Sequence, residues 1–278
     1  MPFELNAKTK FKDLTPSYRG ARFKDGRPKV NADILKRMKK VTVEEAWGVL
    51  AGKGHHCQFE GNWFNLHPDR VIVGRAVTCR YLPHRPDLND VVQADGKRNK
   101  RIGGQNSWVI DSLVTDDVLV VDLFGKIIKG TFIGDNLGTA ISVNTGGTGL
   151  IVDGSIRDDE RVSQLPINVL CRGTHPTAIG EVTMAEMNGP VRIGDATCIP
   201  GDIVLAKESG VVFIPPQYAK EVVERSENVR LRDYWGKQTI SDGRYTPGEV
   251  DRKWSAKMDK EFEKWQKTAD IQAIFDEL

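Results

Sequence analysis

Hydrophobic and polar positions change their period several times along the chain, and each change predicts an element. Residues 1–30 are polar and interrupted by Pro16, Gly20, Gly26 and Pro28, so no period is sustained. They read as an N-terminal arm lying on a surface or a neighbouring subunit and carrying little core. Asn31 then precedes Ala-Asp-Ile-Leu-Lys-Arg-Met, and Thr42 and Glu45 stand at capping-box spacing ahead of a second apolar-periodic stretch, which predicts two short helices. Five valine-rich runs follow, at 71–79, 118–123, 149–154, 203–206 and 211–214. Each reads as a strand, and three are almost continuously apolar, the mark of strands covered on both faces. Helical segments at 105–113 and 136–144 lie between them, which argues for a layered α/β domain.

Past residue 228 the pattern turns irregular before Glu249 opens a helical period. Trp254, Met258, Phe262, Trp265 and Ala269 then recur on one face. Such an aromatic stripe has to dock, either on its own domain or on a partner subunit. The chain is thus read as an arm (1–30), an α/β domain (31–227) and an aromatic-rich helical extension (228–278).

Composition narrows the function classes. The 278 residues carry 40 Lys and Arg against 38 Asp and Glu, mixed along the chain, a net charge of +2 with no basic stripe for nucleic acid. Mean hydropathy is −0.39, and no run approaches the roughly 18 apolar residues of a spanning helix. The first residues contain lysines with no apolar stretch behind them, so a cytoplasmic location is expected. Cys57, Cys79, Cys171 and Cys198 are widely spaced and form no Cys-x-x-Cys pair, which reads as reduced thiols.

Several motifs carry no chemistry. His55-His56-Cys57 with His67 lacks the paired spacing of a zinc site. The Thr145-Gly-Gly-Thr-Gly stretch has no following Lys-Ser/Thr and precedes a strand, so it reads as a helix C-terminal turn. Neither a Gly-x-Ser-x-Gly elbow nor a methyltransferase-type nucleotide loop is present.

Two segments do suggest chemistry. Ile133-Gly-Asp-Asn-Leu opens a helix at Asp135 or Asn136, where unpaired amides suit a carboxylate or phosphate, unless those residues merely cap it. Ile151-Val-Asp-Gly-Ser-Ile-Arg-Asp places Arg157 and Asp158 after a buried strand, where α/β sheets bind ligands. Arg157 sits unfavourably at the positive end of the next helix, which hints at an anionic ligand. Amide donors, a guanidinium and hard oxygen ligands together are a kit for holding a 2-oxo acid on Mg²⁺ or Mn²⁺.

Gly134-Asp-Asn-Leu, Val152-Asp-Gly-Ser-Ile-Arg-Asp, Arg172-Gly-Thr-His-Pro, Pro200-Gly-Asp-Ile-Val and Glu208-Ser-Gly-Val-Val-Phe-Ile-Pro resemble the RraA-like family over about residues 45–225. That family includes the 4-hydroxy-4-methyl-2-oxoglutarate and 4-carboxy-4-hydroxy-2-oxoadipate aldolases, often labelled demethylmenaquinone methyltransferases. The family's signature is an acidic residue, twenty others, then Arg-Asp; here twenty-one residues separate Asp135 from Arg157, and the Thr145–Gly149 turn can absorb the extra one.

The resemblance implies a layered β/β/α, swivelling phosphohistidine-domain-like fold, assembled as a homotrimer or homohexamer with sites between subunits. It implies a metal-dependent lyase of the class II pyruvate aldolase type, cleaving a 4-hydroxy-2-oxo acid, with oxaloacetate decarboxylation as a side activity. Asp158 would ligate the metal, Arg157 bind the oxo acid, Asp135 act through metal-bound water, and Gly134, Asn136 and Leu137 hold the carboxylate. The family's glutamate from an adjacent subunit has no clear match, although Glu224 and Glu227 lie in the right region. A metal-dependent dehydratase or isomerase on another oxo or sugar acid, and a non-catalytic protein-binding regulator, are the alternatives.

Overall fold

The computed structural model describes residues 3–6 and 10–277. Asn31 caps the helix Ala32–Met38 by accepting from the Asp33 amide, and Thr42 and Glu45 exchange both capping-box bonds at the head of Val43–Ala51. With Lys10–Leu14 these form α1 to α3. The remaining helices of the first unit are α4 (Pro86–Arg98), α5 (Gln105–Ile110), α6 (Asp135–Thr145) and α7 (Asp159–Val162). The strands are β1 (Phe59–Glu60), β2 (Phe64–Asn65), β3 (Ile72–Pro83), β4 (Asp117–Thr131), β5 (Gly149–Ile156), β6 (Asn168–Cys171), β7 (Gly173–Thr174), β8 (Val182–Met187), β9 (Val191–Ile193), β10 (Ala196–Cys198), β11 (Ile203–Lys207) and β12 (Gly210–Ile214).

One mixed sheet runs β1-β12-β11-β3-β4-β5-β6-β2. Its centre, β3 to β6, is parallel, while β11, β12, β1 and β2 pair antiparallel at the flanks. All five strands expected from the valine-rich runs are present. Alternate residues of β4 face opposite layers. Leu119 and Val121 meet Val109, Ile110 and Ile141 of the helical layer, whereas Val118 and Val120 share a cluster with Ile193 and Ala196 of the β9–β10 ribbon. A third cluster joins α2 and α3 to β11 and β12. The result is the expected β/β/α layering.

Chain reversal at Gly146, in the left-handed region at φ 73°, ends α6 and delivers the chain into β5. The Thr145–Gly149 stretch is therefore the helix-terminal turn read from the sequence.

Two expectations need correction. The arm does carry core: Leu5 and Phe11 are buried, Leu5 within the main cluster. Arg27 is also buried, and its guanidinium bonds Asp117 at 3.1 Å. Apolar residues too sparse to set a period still fill gaps left by longer elements.

The second correction concerns the stretch after residue 228. The chain divides into two compact units, Met1–Val223 and Glu224–Leu278, and the boundary falls within α8 (Ala219–Ser241). Residues 228–241 are therefore helical, because Leu231 and Trp235, four apart, share one buried face. The aromatic period also breaks where it was expected to run on: α9 (Pro247–Val250) stops, and Ser255 caps a new helix, α10 (Ala256–Gln266), by accepting from the Met258 amide. α11 (Ile271–Glu277) completes the unit. The stripe is not left exposed. Trp235 lies 4.9 Å from Trp254 and 5.7 Å from Phe262 between ring centroids, and these rings are buried with Met258 and Ile274. No helix among the described residues is long and apolar enough to cross a membrane.

Candidate active site

β5 is buried along its whole length and ends at Ile156. The next two residues leave the sheet beside the end of β4, where the Arg157 amide donates to the Ile133 carbonyl at 3.0 Å and the Phe132 amide to the Ser155 carbonyl at 2.9 Å. Two segments more than twenty residues apart in sequence are thereby fastened together. Asp158 takes a left-handed conformation, φ 55° and ψ 35°, and its carbonyl accepts from Arg161 and Val162 to start α7. Its side chain makes no capping bond. Its carboxylate pairs with the Arg157 guanidinium, 3.6 Å from Nε, and both side chains are about two-fifths exposed.

Gly134 is the residue that lets the segments meet. A β-carbon there would stand 2.3 Å from Asp158 Oδ2 and 3.0 Å from Arg157 Nε. The residue also caps α6 through its carbonyl, which accepts from Gly138 at 2.9 Å. Asp135 follows with its Oδ1 on the Asn136 amide at 2.9 Å and its Oδ2 3.3 Å from Arg161 Nη1. The Arg161 hydrogen bond is the main cause holding the Asp135 carboxyl below its ordinary range, helped by the Asn136 amide.

The structure thus brings Gly134, Asp135, Arg157 and Asp158 together. Asn136 and Leu137 occupy the first turn of α6 beside them. Of the two amides expected to hold a carboxylate, that of Asn136 is already taken by Asp135, whereas the Leu137 amide has no acceptor among the described residues. Arg161 is absent from the sequence-based candidates. It stands on the short helix α7 and reaches Asp135 across twenty-six positions, a partnership that no local spacing announces.

The donor set suits a hard divalent cation. Asp158 and Asp135 supply carboxylate oxygens, and no third His, Cys, Asp or Glu among the described residues completes a cage with them. Mg²⁺ and Mn²⁺ are held in this way, by one or two carboxylates with several waters retained.

A family model described as Aldolase/RraA matches residues 41–213, which takes in every residue of this centre. The chain belongs to the RraA-like family. Protein DlpA of Legionella pneumophila is 30% identical over 192 residues, covering 67% of this chain and 29% of DlpA. The chain thus spans under a third of that relative's length. A Halalkalibacterium halodurans protein named "Putative 4-hydroxy-4-methyl-2-oxoglutarate aldolase" is 29% identical over 160 residues, covering 55% of this chain and 74% of that one. Among solved structures, Streptomyces coelicolor RraAS2, titled an unusual member of the RNase ES inhibitor RraA protein family, superposes with a TM-score of 0.63 at 26% identity, over 76% of this chain and 98% of RraAS2. This RraA-like chain therefore has relatives named for lyase chemistry and a structural neighbour titled for ribonuclease inhibition.

Proposed function

We propose that this protein is a divalent-metal-dependent lyase of the class II pyruvate aldolase type. It cleaves a 4-hydroxy-2-oxo acid to pyruvate and a second carbonyl compound, and decarboxylates oxaloacetate as a side activity. The observation that carries the reading is the close approach of the Gly134 backbone to Arg157 and Asp158, with Asp135 at the next position. The names of the curated relatives support the lyase class.

Asp158 would hold Mg²⁺ or Mn²⁺ directly, and Asp135 through water. When bound, such an ion draws electron density from the 2-oxo group and so eases cleavage of the C3–C4 bond. Arg157 presents a planar guanidinium to the carboxylate and to the negative charge that grows on the 2-oxo oxygen. The Leu137 amide joins it, and Gly134 and Asn136 shape the same wall. Water held by Asp135 and Asp158 takes the proton of the C4 hydroxyl. The electrons of the breaking C3–C4 bond move toward the 2-oxo oxygen, the C4 fragment departs as a carbonyl compound, and C3 of the pyruvate enolate then takes a proton. The protein works as a homotrimer or homohexamer in which a neighbouring subunit completes the site.

The test is release of pyruvate from oxaloacetate and from 4-hydroxy-2-oxo acids, followed through lactate dehydrogenase and NADH, with Mg²⁺, Mn²⁺ or EDTA. Chelator-sensitive release is expected. No release from folded, metal-supplemented protein would overturn the reading and favour a non-catalytic regulator, to which the likeness to RraAS2 lends its support.

A further inference from the structure

A cavity of about 230 Å³ lies between the end of α1 with the residues after it, the loop that follows α3, the turn before β11 and the chain leaving β12. Asp202 and Gln58 line it. Asp202 is only 2% exposed, and its Oδ2 accepts from the Ile199 amide at 2.8 Å. Its Oδ1 has no donor among the described residues, yet it is not one of the buried polar atoms sealed off without a partner, so it keeps a surface on accessible space. Gln58 shows the same pattern. Its Nε2 donates to the Thr197 and Phe213 carbonyls at 3.2 and 2.8 Å, and its Oε1 is left without a donor, again on accessible space.

Nothing cationic answers the carboxylate. No Lys, Arg or His nitrogen among the described residues stands within ion-pair distance of Asp202. His55 lines the same cavity, but its ring packs edge-on against Tyr218 at 5.4 Å. Arg22 touches the Thr15 wall and is taken up by the Thr15 hydroxyl and the Thr15, Tyr18 and Gly26 carbonyls. A carboxylate buried without a counter-charge is costly, and a bound cation relieves it. The walls also include Leu14, Pro16, Ile199, Pro215 and Pro216, so hydrocarbon can be covered beside the charge.

The cavity is remote from Arg157 and Asp158. The Asp202 carbonyl accepts from the Ala76 amide, and the register pairs Ile203 with Arg75, Arg75 with Asp117, and Val118 with Gly149. Asp202 therefore stands level with the starts of β4 and β5, whereas Arg157 and Asp158 follow the end of β5. We infer that this cavity is a second binding site, for a small organic ammonium ion whose charged group meets Asp202 Oδ1 and Gln58 Oε1 and whose hydrocarbon lies against the proline and leucine walls. An ammonium brings three donors to acceptors that the protein leaves unused. One carboxylate and one amide oxygen serve a hard divalent ion poorly. The volume, below the ~300 Å³ at which sites for drug-sized ligands begin, suits an ion of a few heavy atoms.

Direct binding tests the inference without reference to turnover. Calorimetric titration of the full chain near pH 8, where amine and carboxylate are both charged, would compare propylammonium with its neutral isostere 1-propanol and with K⁺. Propylammonium is expected to bind at least about tenfold more tightly than either, because only it combines the charge with the covered hydrocarbon. Asp202→Asn, nearly the same in shape, should bring propylammonium to within about threefold of 1-propanol. Ser17→Trp, at an exposed wall position less able to disturb folding, should weaken propylammonium severalfold by filling the space. The comparison on the parent chain needs no variant to fold. Propylammonium and 1-propanol binding alike, tighter binding of K⁺, or an affinity unchanged in the folded variants would each overturn the inference.

Discussion

Replacing Gly134 by alanine perturbs the centre by a single carbon whose effect can be worked out. The new β-carbon would lie 2.3 Å from Asp158 Oδ2, about 1 Å inside the 3.4 Å at which ordinary contact begins. Gly134 has φ −120°, so alanine meets no backbone penalty there. The conflict is purely with the carboxylate, and Asp158 is exposed enough to turn away. Folding stability should therefore change little, whereas a ligand oxygen displaced by about 1 Å costs on the order of 100-fold in rate, or ~2.7 kcal/mol of barrier. Metal-dependent pyruvate release would be compared between Gly134→Ala and the parent, with thermal unfolding as the control. A variant that keeps its melting temperature and turns over within threefold of the parent would refute the geometric argument.

Arg157→Lys keeps the charge but loses the planar fork, and kcat/KM should fall at least about 100-fold; near-parental kinetics would discount the guanidinium. Asp158→Asn should abolish activation by Mg²⁺ or Mn²⁺ while circular dichroism is unchanged, and activation at parental metal concentrations would remove Asp158 as the ligand. Trp235→Ala empties the middle of the buried aromatic cluster and should cost ~3–5 kcal/mol in denaturant unfolding of that unit; a loss under about 1 kcal/mol would mean the cluster is not its core. Burial without a cationic partner pushes the Asp202 carboxyl up to about 7. The folded state therefore holds that proton more tightly than the unfolded chain, so this group's contribution to stability is retained below pH ~4 and lost as pH rises toward 7. Asp202→Asn should match the parent in acid and become the more stable of the two near pH 8, and parallel stability profiles would contradict the buried carboxyl.

Short-range chemistry was the legible part of this sequence. The capping box of Thr42 and Glu45, the glycine that ends α6 and the apolar run of β5 each depend on residues within a few positions, so their signals survive in one dimension. Asp135, Arg157 and Asp158 were likewise readable, because each stands at the opening of a helix. What escaped depends on distant partners. Leu5 is buried by residues far along the chain, and the helical state of residues 228–241 reflects Trp235 meeting Trp254 and Phe262. β4 also runs on to Thr131, beyond the apolar run that announced it, passing Phe124 and Gly125 in left-handed conformations that no local period encodes. The close approach at Gly134 belongs to the same class, since it exists only once β5 has delivered Asp158 beside it.

The sheet order also constrains how the chain acquires its structure during synthesis. Ile72 of β3 is partnered on one side by Ala206 of β11, and Phe59 of β1 by Val212 of β12. Until the ribosome has released residues beyond 214, β3 has an open edge and β1 has no sheet to join. Such distant pairing slows folding, because loop-closure entropy is met before the contacts repay it. A nascent chain stalled near residue 200 would present valine-rich open edges, so this protein should lean on chaperones or fast elongation late in translation more than its stability alone would suggest.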